Sequence, residues 1–339
     1  MSGGVDSSYT AEILKIGGFG VEGAVLVMHN ETDTEGAKRA AEKTGIPLHV
    51  IDCQAEFESE VADYFACEYA CGRTPNPCTV CNRTVKFQKL CEYAEANGFD
   101  KIATGHYADV GYENGRYFIK KGADEKKDQS YMLWNLTQKQ LSMLLLPLSS
   151  LTKAEIKAKA SKLGVESAGK PESQDICFLP NGNYAEFVMS RLGDRYADVV
   201  KEGDFIDSDG KVLGRHKGII NYTVGQRRGL GIALGQRMFV SAIDPVKNTV
   251  TLMPDGGSYS HKARVSSLNF QKMSEPTDEN AVVNATVKVR YAAKPVPAKV
   301  TFSGDTAEIE FAEPIRAITP GQSAVAYDGD DILFGGIFI

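Results

Sequence analysis

Ser2-Gly3-Gly4-Val5-Asp6-Ser7-Ser8 is the stretch that decides the fold, and apolar residues at helical spacing follow it directly. Two adjacent glycines let the backbone turn tightly and bring its N–H groups close to an anion. The free N–H groups of the following helix, with the positive end of its dipole, favour a phosphate at the same place. The stretch lacks the lysine of a Walker loop, and Asp6 suggests instead a pyrophosphate bridged by Mg²⁺. The alternative is an ordinary glycine-rich turn that caps a helix.

The first half of the chain alternates between predicted strands and helices, which indicates an α/β fold with a doubly wound parallel sheet. A phosphate loop of this kind follows the first, central strand of such a sheet, yet no strand precedes it here. A missing central strand would remove about four buried side chains, each contributing roughly 1.5–3 kcal/mol. We therefore expect the true start of the protein to lie upstream. A diverged chain that has lost its ATP chemistry is the alternative. The predicted strands cover 21–28, 48–52 and 101–104, and the helices cover 34–44, 56–70 and 82–97.

The sequence of the second half of the chain predicts fewer alternating strands and helices and more β-structure. A hairpin is expected to turn at Asn114-Gly115, and helices are predicted over 130–148 and 153–163, followed by a long loop over 164–180. Short β-rich runs dominate from about residue 203, including 221–224, and those after 265 predict a small β-barrel. The predicted domains are 1–195 for the phosphate loop and the catalytic residues, 196–262 for a small β-rich central domain, and 263–339 for a C-terminal β-barrel.

Composition narrows the function classes. No apolar run reaches the length of a membrane span and no signal peptide is visible, so we expect a cytoplasmic protein without a membrane partner. Seven cysteines in such a chain favour reduced thiols. The net charge is −6, but the segments 72–91 and 211–243 contain no acidic residue. The second segment includes Arg227 and Arg228 and predicts an anion-binding surface. Chance clustering on a solvated face is the alternative.

Three cysteines form the second strong signal. Pro77-Cys78-Thr79-Val80-Cys81-Asn82 places Cys81 at the predicted entry to a helix, where a thiol has a lowered pKa. Cys177 follows in the long loop. Structural zinc wants four ligands, so Cys78, Cys81 and Cys177 suit instead a redox exchange or a [4Fe–4S] cluster with one open iron. We favour the cluster slightly, since Cys78 has no evident role in persulfide exchange.

These motifs together resemble the bacterial tRNA-specific 2-thiouridylases, within the superfamily of PP-loop ATP pyrophosphatases. The resemblance covers essentially the whole chain, and its most specific parts are the Pro-Asn-Pro…Cys-Asn segment and Tyr222-Thr-Val-Gly-Gln-Arg-Arg-Gly229. Three departures stand out: the first strand is absent, the segment after Met28 is shorter than usual, and Cys78 occupies a position that is aspartate in many members.

The resemblance implies a role for individual residues. The phosphates of ATP are assigned to Ser2, Gly3, Gly4, Val5, Asp6, Ser7 and Ser8, with Leu26 and Gly105 bordering the nucleotide. Cys81 matches the nucleophile and Cys177 matches the persulfide carrier. The positions that match tRNA contacts are Asn76, Pro77, Cys78, His106, Lys127, Asp128, Gln129, Arg290, Tyr291 and Gln322.

The implied reaction is sulfur transfer to carbon 2 of the wobble uridine, after ATP and Mg²⁺ have served to adenylate the uracil oxygen. Sulfur would come from a persulfide on Cys177 or from cluster-bound sulfide, and Cys81 and Cys177 would end as a disulfide. The expected partners are the anticodon stem-loop of tRNA and a persulfide donor or relay protein, with the enzyme itself a monomer. The alternatives are a non-catalytic tRNA-binding paralogue and a PP-loop enzyme that adenylates a small molecule.

Overall fold

A computed structural model describes residues 1–165, 176–179, 182–193, 196–254, 258–278 and 280–339. Its N-terminal part alternates strands and helices as predicted, and parallel pairing joins β1 to β2 and β3 to β6. The elements of this part are α1 Val5–Ile16, β1 Gly23–Val27, α2 Thr34–Thr44, β2 Leu48–Asp52, α3 Gln54–Phe57, α4 Tyr64–Ala70, α5 Pro77–Cys81, α6 Phe87–Ala96, β3 Ile102–Ala103, β4 Ala108–Glu113, β5 Arg116–Lys121, α7 Gln138–Met143, β6 Leu144–Leu145 and α8 Lys153–Lys162.

Local signals explain why the helix bounds near the phosphate loop are close to those expected. Helix α1 begins after Gly4, which is extended. The side chain of Asp33 accepts a hydrogen bond of 2.7 Å from the backbone N–H of Gly36 and caps α2. Gly45, with a φ of +67°, ends that helix in the left-handed conformation that glycine adopts at low cost. The predicted helix over 34–44 is confirmed.

Two long helices contain a π-helical turn. Residues Glu58–Asp63 connect α3 to α4, and Asn82–Lys86 connect α5 to α6. The helix predicted to start at residue 82 therefore starts at Pro77. Proline is favoured in the first helical turn, since its missing N–H would have no partner there.

The predicted hairpin is confirmed, with positive φ at both Asn114 and Gly115 between β4 and β5. The single helix predicted over 130–148 was wrong. Its place is taken by a 3₁₀ turn at Ser130–Met132, by α7 and by β6. Thr137 starts α7 with a capping box, and the register of β6 against β3 pairs Leu144 with Ile102. Tertiary pairing has overridden the helical pattern of that leucine-rich run.

The central part is a four-stranded sheet in the order β8-β7-β10-β9. Its core, which includes Phe205, Val240 and Val250, also contains Phe65 of α4. The predicted strand over 221–224 was wrong, because the chain there forms a 3₁₀ turn at Ile219–Asn221 and then a loop. The elements are α9 Tyr184–Arg191, α10 Ala197–Val200, β7 Gly203–Ile206, β8 Val212–His216, β9 Met238–Asp244 and β10 Thr249–Pro254.

The C-terminal part is the expected barrel, and β11 pairs with β16 to close six strands. The first barrel strand begins at Tyr259, ahead of the predicted domain boundary at 263. The β4–β5 hairpin of the N-terminal part extends the same sheet to eight strands through the register Asp331–Lys120. The barrel strands are β11 Tyr259–Phe270, β12 Val282–Lys288, β13 Val296–Ser303, β14 Thr306–Arg316, β15 Ser323–Asp328 and β16 Asp331–Phe338.

None of the helices within the described ranges is long and apolar enough to cross a membrane.

Candidate active site

The phosphate loop is a tight backbone turn packed against the start of α2. Gly3 has a φ of +71°, and a Cβ atom there would lie 2.8 Å from the backbone carbon of Gly36. The Ser7 hydroxyl accepts a hydrogen bond of 3.1 Å from the Ser2 backbone N–H, and the Ser8 hydroxyl donates to the Gly4 carbonyl at 2.9 Å. Only glycine fits at position 3, as a cradle that brings backbone N–H groups to a phosphate requires.

The end of β3 touches this loop at Gly105. A Cβ atom on Gly105 would lie 2.9 Å from the backbone carbon of Asp6, so the position next to the predicted nucleotide site tolerates only glycine. A cavity of about 230 Å³ beside the loop is lined by Gly3 and Ser8 and by Arg39 and Lys43 of α2. Glu12 of α1 lines the cavity as well, so two cations and one carboxylate border it.

Asp6 has partners that the sequence did not predict. Its carboxylate accepts hydrogen bonds from the ammonium of Lys153, at 2.7 and 2.8 Å, and from the hydroxyl of Tyr107, at 2.7 Å. Lys153 is 8% exposed and is the first residue of α8. In this structure the charge of Asp6 is therefore neutralised by a lysine from a distant segment, whereas the sequence suggested a metal partner. A capping-box threonine before a lysine was the available signal, but it indicated only a helix start.

Helix α5, with its continuation through the π-helical turn into α6, is called the cysteine helix below. It places Cys78 and Cys81 differently from the prediction. Asn76 caps α5 by accepting a hydrogen bond of 3.2 Å from the Cys78 N–H, so Cys78 lies in the first turn and is exposed. Cys81 lies a turn further on, is 7% exposed, and donates its S–H toward the Met28 sulfur at 3.8 Å. Burial raises the pKa of Cys81 to about 11. The expected lowering of that pKa by the helix N-terminus was wrong, because desolvation disfavours the thiolate.

Cys177 comes to the same place from the far side of the sequence. The next residue, Phe178, packs edge-to-face on Phe57 and Phe65 with ring centroids 5.4 and 5.5 Å apart, and it contacts the apolar cluster that contains Cys81. Cys177 itself is exposed. A negative charge on Cys177 raises the pKa of Cys81. The structure thus brings the two predicted catalytic cysteines together, while most of the predicted loop, 166–175 and 180–181, lies outside the described residues.

The three thiols do not fit an iron–sulfur cluster. All three belong to the described part of the chain, and within that part no group of three or more His, Cys, Asp or Glu side chains is arranged to hold a metal ion. The reason is orientation, since Cys81 turns into the apolar cluster beside Met28 while Cys78 and Cys177 are exposed. The predicted metal set of Cys78, Cys81 and Cys177 is not supported by this arrangement.

His106 and Leu26 connect the cysteines to the phosphate loop. His106 follows Gly105, bonds to the Thr104 hydroxyl at 2.8 Å, and packs on Phe87 of the cysteine helix at 5.7 Å between ring centroids. Desolvation, reinforced by the positive charge of Lys86, holds the pKa of His106 well below its ordinary 6.5. Leu26 packs against the cluster that contains Cys81. Gly105 and His106 are thus adjacent residues that contact the phosphate loop and Phe87 of α6, respectively.

Several predicted tRNA contacts have partners inside the protein. Asp128 is 6% exposed and accepts from the Ser130 hydroxyl at 2.8 Å, and the Gln129 side chain accepts from the Tyr107 N–H at 3.0 Å. Gln322 donates to the Thr74 carbonyl at 2.8 Å, which ties the barrel to the segment before α5. These three side chains shape the surface from within.

Other predicted contacts have side chains that are at least partly exposed. Lys127 is partly exposed, Tyr291 is 39% exposed, and Arg290 donates to the carbonyl of Arg316 at 2.7 Å. Arg227 and Arg228 are exposed in the central part, where Arg227 lines an open groove of about 550 Å³ together with Arg237. A groove edged by exposed guanidinium groups suits a phosphate backbone.

Comparison with known proteins covers nearly the whole chain. Three family models match, described as a tRNA methyl transferase HUP domain over residues 1–181, a tRNA methyl transferase PRC-barrel domain over 194–254, and an aminomethyltransferase beta-barrel domain over 260–338.

Curated relatives give a different name. A protein of Acetivibrio thermocellus is 42% identical over 99% of this chain and 97% of its own length, and one of Carboxydothermus hydrogenoformans is 43% identical over 99% and 95%. A protein of Clostridioides difficile is 42% identical over 99% of this chain and 96% of its own. Each is named tRNA-specific 2-thiouridylase MnmA. The relatives match the chain over nearly its full length at 42–43% identity, so the family is taken from their name and not from the methyl transferase wording of the domain descriptions.

Proposed function

The chain belongs to the family of tRNA-specific 2-thiouridylases and is a tRNA sulfurtransferase that uses a PP-loop domain, and we propose that it adenylates the wobble uridine and replaces its 2-oxygen with a sulfur carried by Cys177. The observation that supports this most is the approach of Cys177 to Cys81, since Phe178 packs on the apolar cluster that contains Cys81. An adenylating enzyme that acts on a small molecule would have no need of two such thiols.

Activation of the uracil oxygen falls to the phosphate loop. A carbonyl oxygen is a poor leaving group. Its attack on the α-phosphorus of ATP forms an oxygen–phosphorus bond and releases pyrophosphate. The oxygen is then part of an adenylate and can leave as AMP. The N–H groups of Gly3, Gly4 and the first turn of α1 are available for the phosphate oxygens. Lys153 adds a buried cation, and Mg²⁺ supplies further charge neutralisation when it is bound to the nucleotide.

Sulfur transfer then needs two thiols with different exposure. The terminal sulfur of a persulfide on Cys177 attacks carbon 2, the carbon–sulfur bond forms, and AMP leaves with the former 2-oxygen. The thiolate of Cys81 next attacks the Cys177 sulfur, the S–S bond breaks, and its electron pair stays on the sulfur bound to carbon 2. The cysteines end as a disulfide that an external dithiol reduces. Exposed Cys177 suits loading by a donor protein, and buried Cys81 suits attack inside the site.

The remaining surfaces suit the tRNA. The wobble base must leave its stack to reach the site, because stacked bases hide their carbonyl edge. Arg227 and Arg228 of the central domain and Arg290 and Tyr291 of the barrel are proposed to hold the anticodon stem-loop, mainly through phosphates. We further propose that one monomer acts on one tRNA, with a persulfide donor or relay protein as the second partner.

The test is loss of thiolation in the single variants Cys81→Ser and Cys177→Ser. Each should form no 2-thiouridine, measured by mass spectrometry of digested tRNA, and each should bind tRNA as the parent does. Cys71→Ser, a partly exposed thiol on the neighbouring helix, is the matched control and should stay active. Thiolation that persists in either catalytic variant would refute the two-cysteine mechanism, and an inactive parent that still binds tRNA would indicate a non-catalytic paralogue.

A further inference from the structure

Lys86 closes the π-helical turn that follows Cys81. In an α-helix of 3.6 residues per turn, a residue five positions on lies on a different face. A π-helical turn bonds residue i to residue i+5 and so brings these two positions together. The turn Asn82–Lys86 thereby aligns Lys86 with Cys81. The extra residue of the turn places a lysine on the face of the helix that carries the thiols.

The other cations of this helix have partners elsewhere. Arg83 donates to Asn135 at 2.7 Å and to Asn269 at 3.3 Å. Lys89 pairs with Glu56 at 2.6 Å and with Glu92 at 3.4 Å. Lys86 is partly buried and forms no ion pair with any described acidic residue. Among the described residues no carboxylate thus pairs with this partly buried ammonium, and its charge is available to an anion.

The charge of Lys86 reaches all three active-site thiols and His106. It lowers the pKa of Cys81, Cys78 and Cys177 against the larger effect of desolvation. The other charged groups that act on Cys81 are the thiols Cys177 and Cys78, and Cys78 also acts on Cys177. Lys86 is thus the cation shared by every sulfur in the site, within the part of the chain that the structure describes.

We propose that Lys86 is a positioning residue for sulfur transfer, whose ammonium stabilises the persulfide anion of Cys177 and the thiolate of Cys81 beside the apolar cluster that contains Cys81. This role rests on the proposed function, since both anions belong to the two-cysteine mechanism. The ammonium transfers no proton and forms no bond. It stabilises negative sulfur first at Cys177, before attack on carbon 2, and then at Cys81, before attack on the disulfide.

The experiment measures thiol reactivity separately from turnover. Iodoacetamide alkylation of Cys81 and of Cys177 is followed against pH by peptide mass spectrometry, in the parent, Lys86→Gln, Lys86→Arg and the control Lys89→Gln. Loss of the ammonium should move both alkylation profiles alkaline by about one pH unit, which is about a tenfold slower reaction at a fixed pH below the midpoint. Lys86→Arg should keep the parent profile, and so should Lys89→Gln.

Turnover and binding complete the test. Lys86→Gln should lower kcat for thiolation about tenfold or more while the KM for ATP and the Kd for tRNA stay unchanged. Unchanged alkylation profiles in Lys86→Gln would overturn the proposal. A weakened Kd for tRNA with normal kcat would also overturn it and make Lys86 a phosphate contact. Either result leaves the two-cysteine mechanism standing if Cys81→Ser and Cys177→Ser are inactive, so the two failures are distinguishable.

Discussion

The ammonium of Lys153 lies 2.7 Å from the carboxylate of Asp6, and this pair joins the first residue of α8 to the first turn of α1. Both side chains are at least partly buried, so the ion pair is shielded from solvent. A lysine held at the phosphate loop in this way can turn from Asp6 to the phosphates of ATP when the nucleotide arrives. The pair fixes the loop before binding and supplies a cation afterwards.

Replacement of Lys153 by methionine tests that role. We expect the KM for ATP to rise about 10- to 100-fold, the cost of one charged hydrogen bond, while the Kd for tRNA stays constant. Lys162→Met removes the same charge from an exposed position of the same helix and serves as the control. An unchanged KM in Lys153→Met would show that the ion pair only braces the loop.

Iron content tests the competing sulfur carrier. From the arrangement of the described cysteines we expect little iron to bind after anaerobic reconstitution, and Cys78→Ala to retain thiolation. A cluster held by Cys78, Cys81 and Cys177 would instead give about four irons per chain and a broad visible band, both lost in Cys78→Ala. Observing that loss would replace the persulfide route with a cluster-bound sulfide.

The exposed arginines of the central domain should make tRNA binding depend on salt concentration. Neutralising Arg227 and Arg228 together by glutamine should weaken tRNA binding and reduce the salt slope by about one per cation removed. Binding of ATP should not change. The control is Lys201→Gln, whose ammonium already pairs with Asp198 at 2.8 Å. A double variant with normal affinity and slope would make these arginines part of a merely solvated face.

His106 predicts a pH dependence with a defined sign. Its folded pKa is held below the ordinary 6.5, chiefly by desolvation, so the folded state favours the neutral ring. The resulting stability is fully present above pH 6.5, where the unfolded histidine is also neutral, and it is lost as the pH falls from there toward the folded pKa. His106→Gln should flatten this acid side of the stability curve, measured by urea unfolding at several pH values. A variant with an unchanged curve would mean that the pKa of His106 is the same in the folded and unfolded states.

The sequence predicted which residues carry the chemistry better than it predicted where the fold places them. The phosphate loop, Cys81 and Cys177 were predicted because each is a local motif with a physical meaning. The start of the cysteine helix at Pro77 was missed, and with it the burial of Cys81, since burial depends on contacts such as that with Met28. Lys153 and the π-helical alignment of Lys86 left no readable pattern, because both depend on where distant segments or an extra helical residue place a side chain.

The β4–β5 hairpin has a consequence for how the gene can be divided. A fragment that ended before the barrel would keep β5 but lose β16, the strand on which it lies, and would expose a new sheet edge to other chains. A fragment of the barrel alone would lose Arg116, which donates at 2.7 Å to both the Phe270 and Gln271 carbonyls. Although separate family models match the N-terminal and C-terminal parts, the hairpin and the barrel share one sheet, so a chimaera that replaces the barrel must also carry a hairpin that matches it.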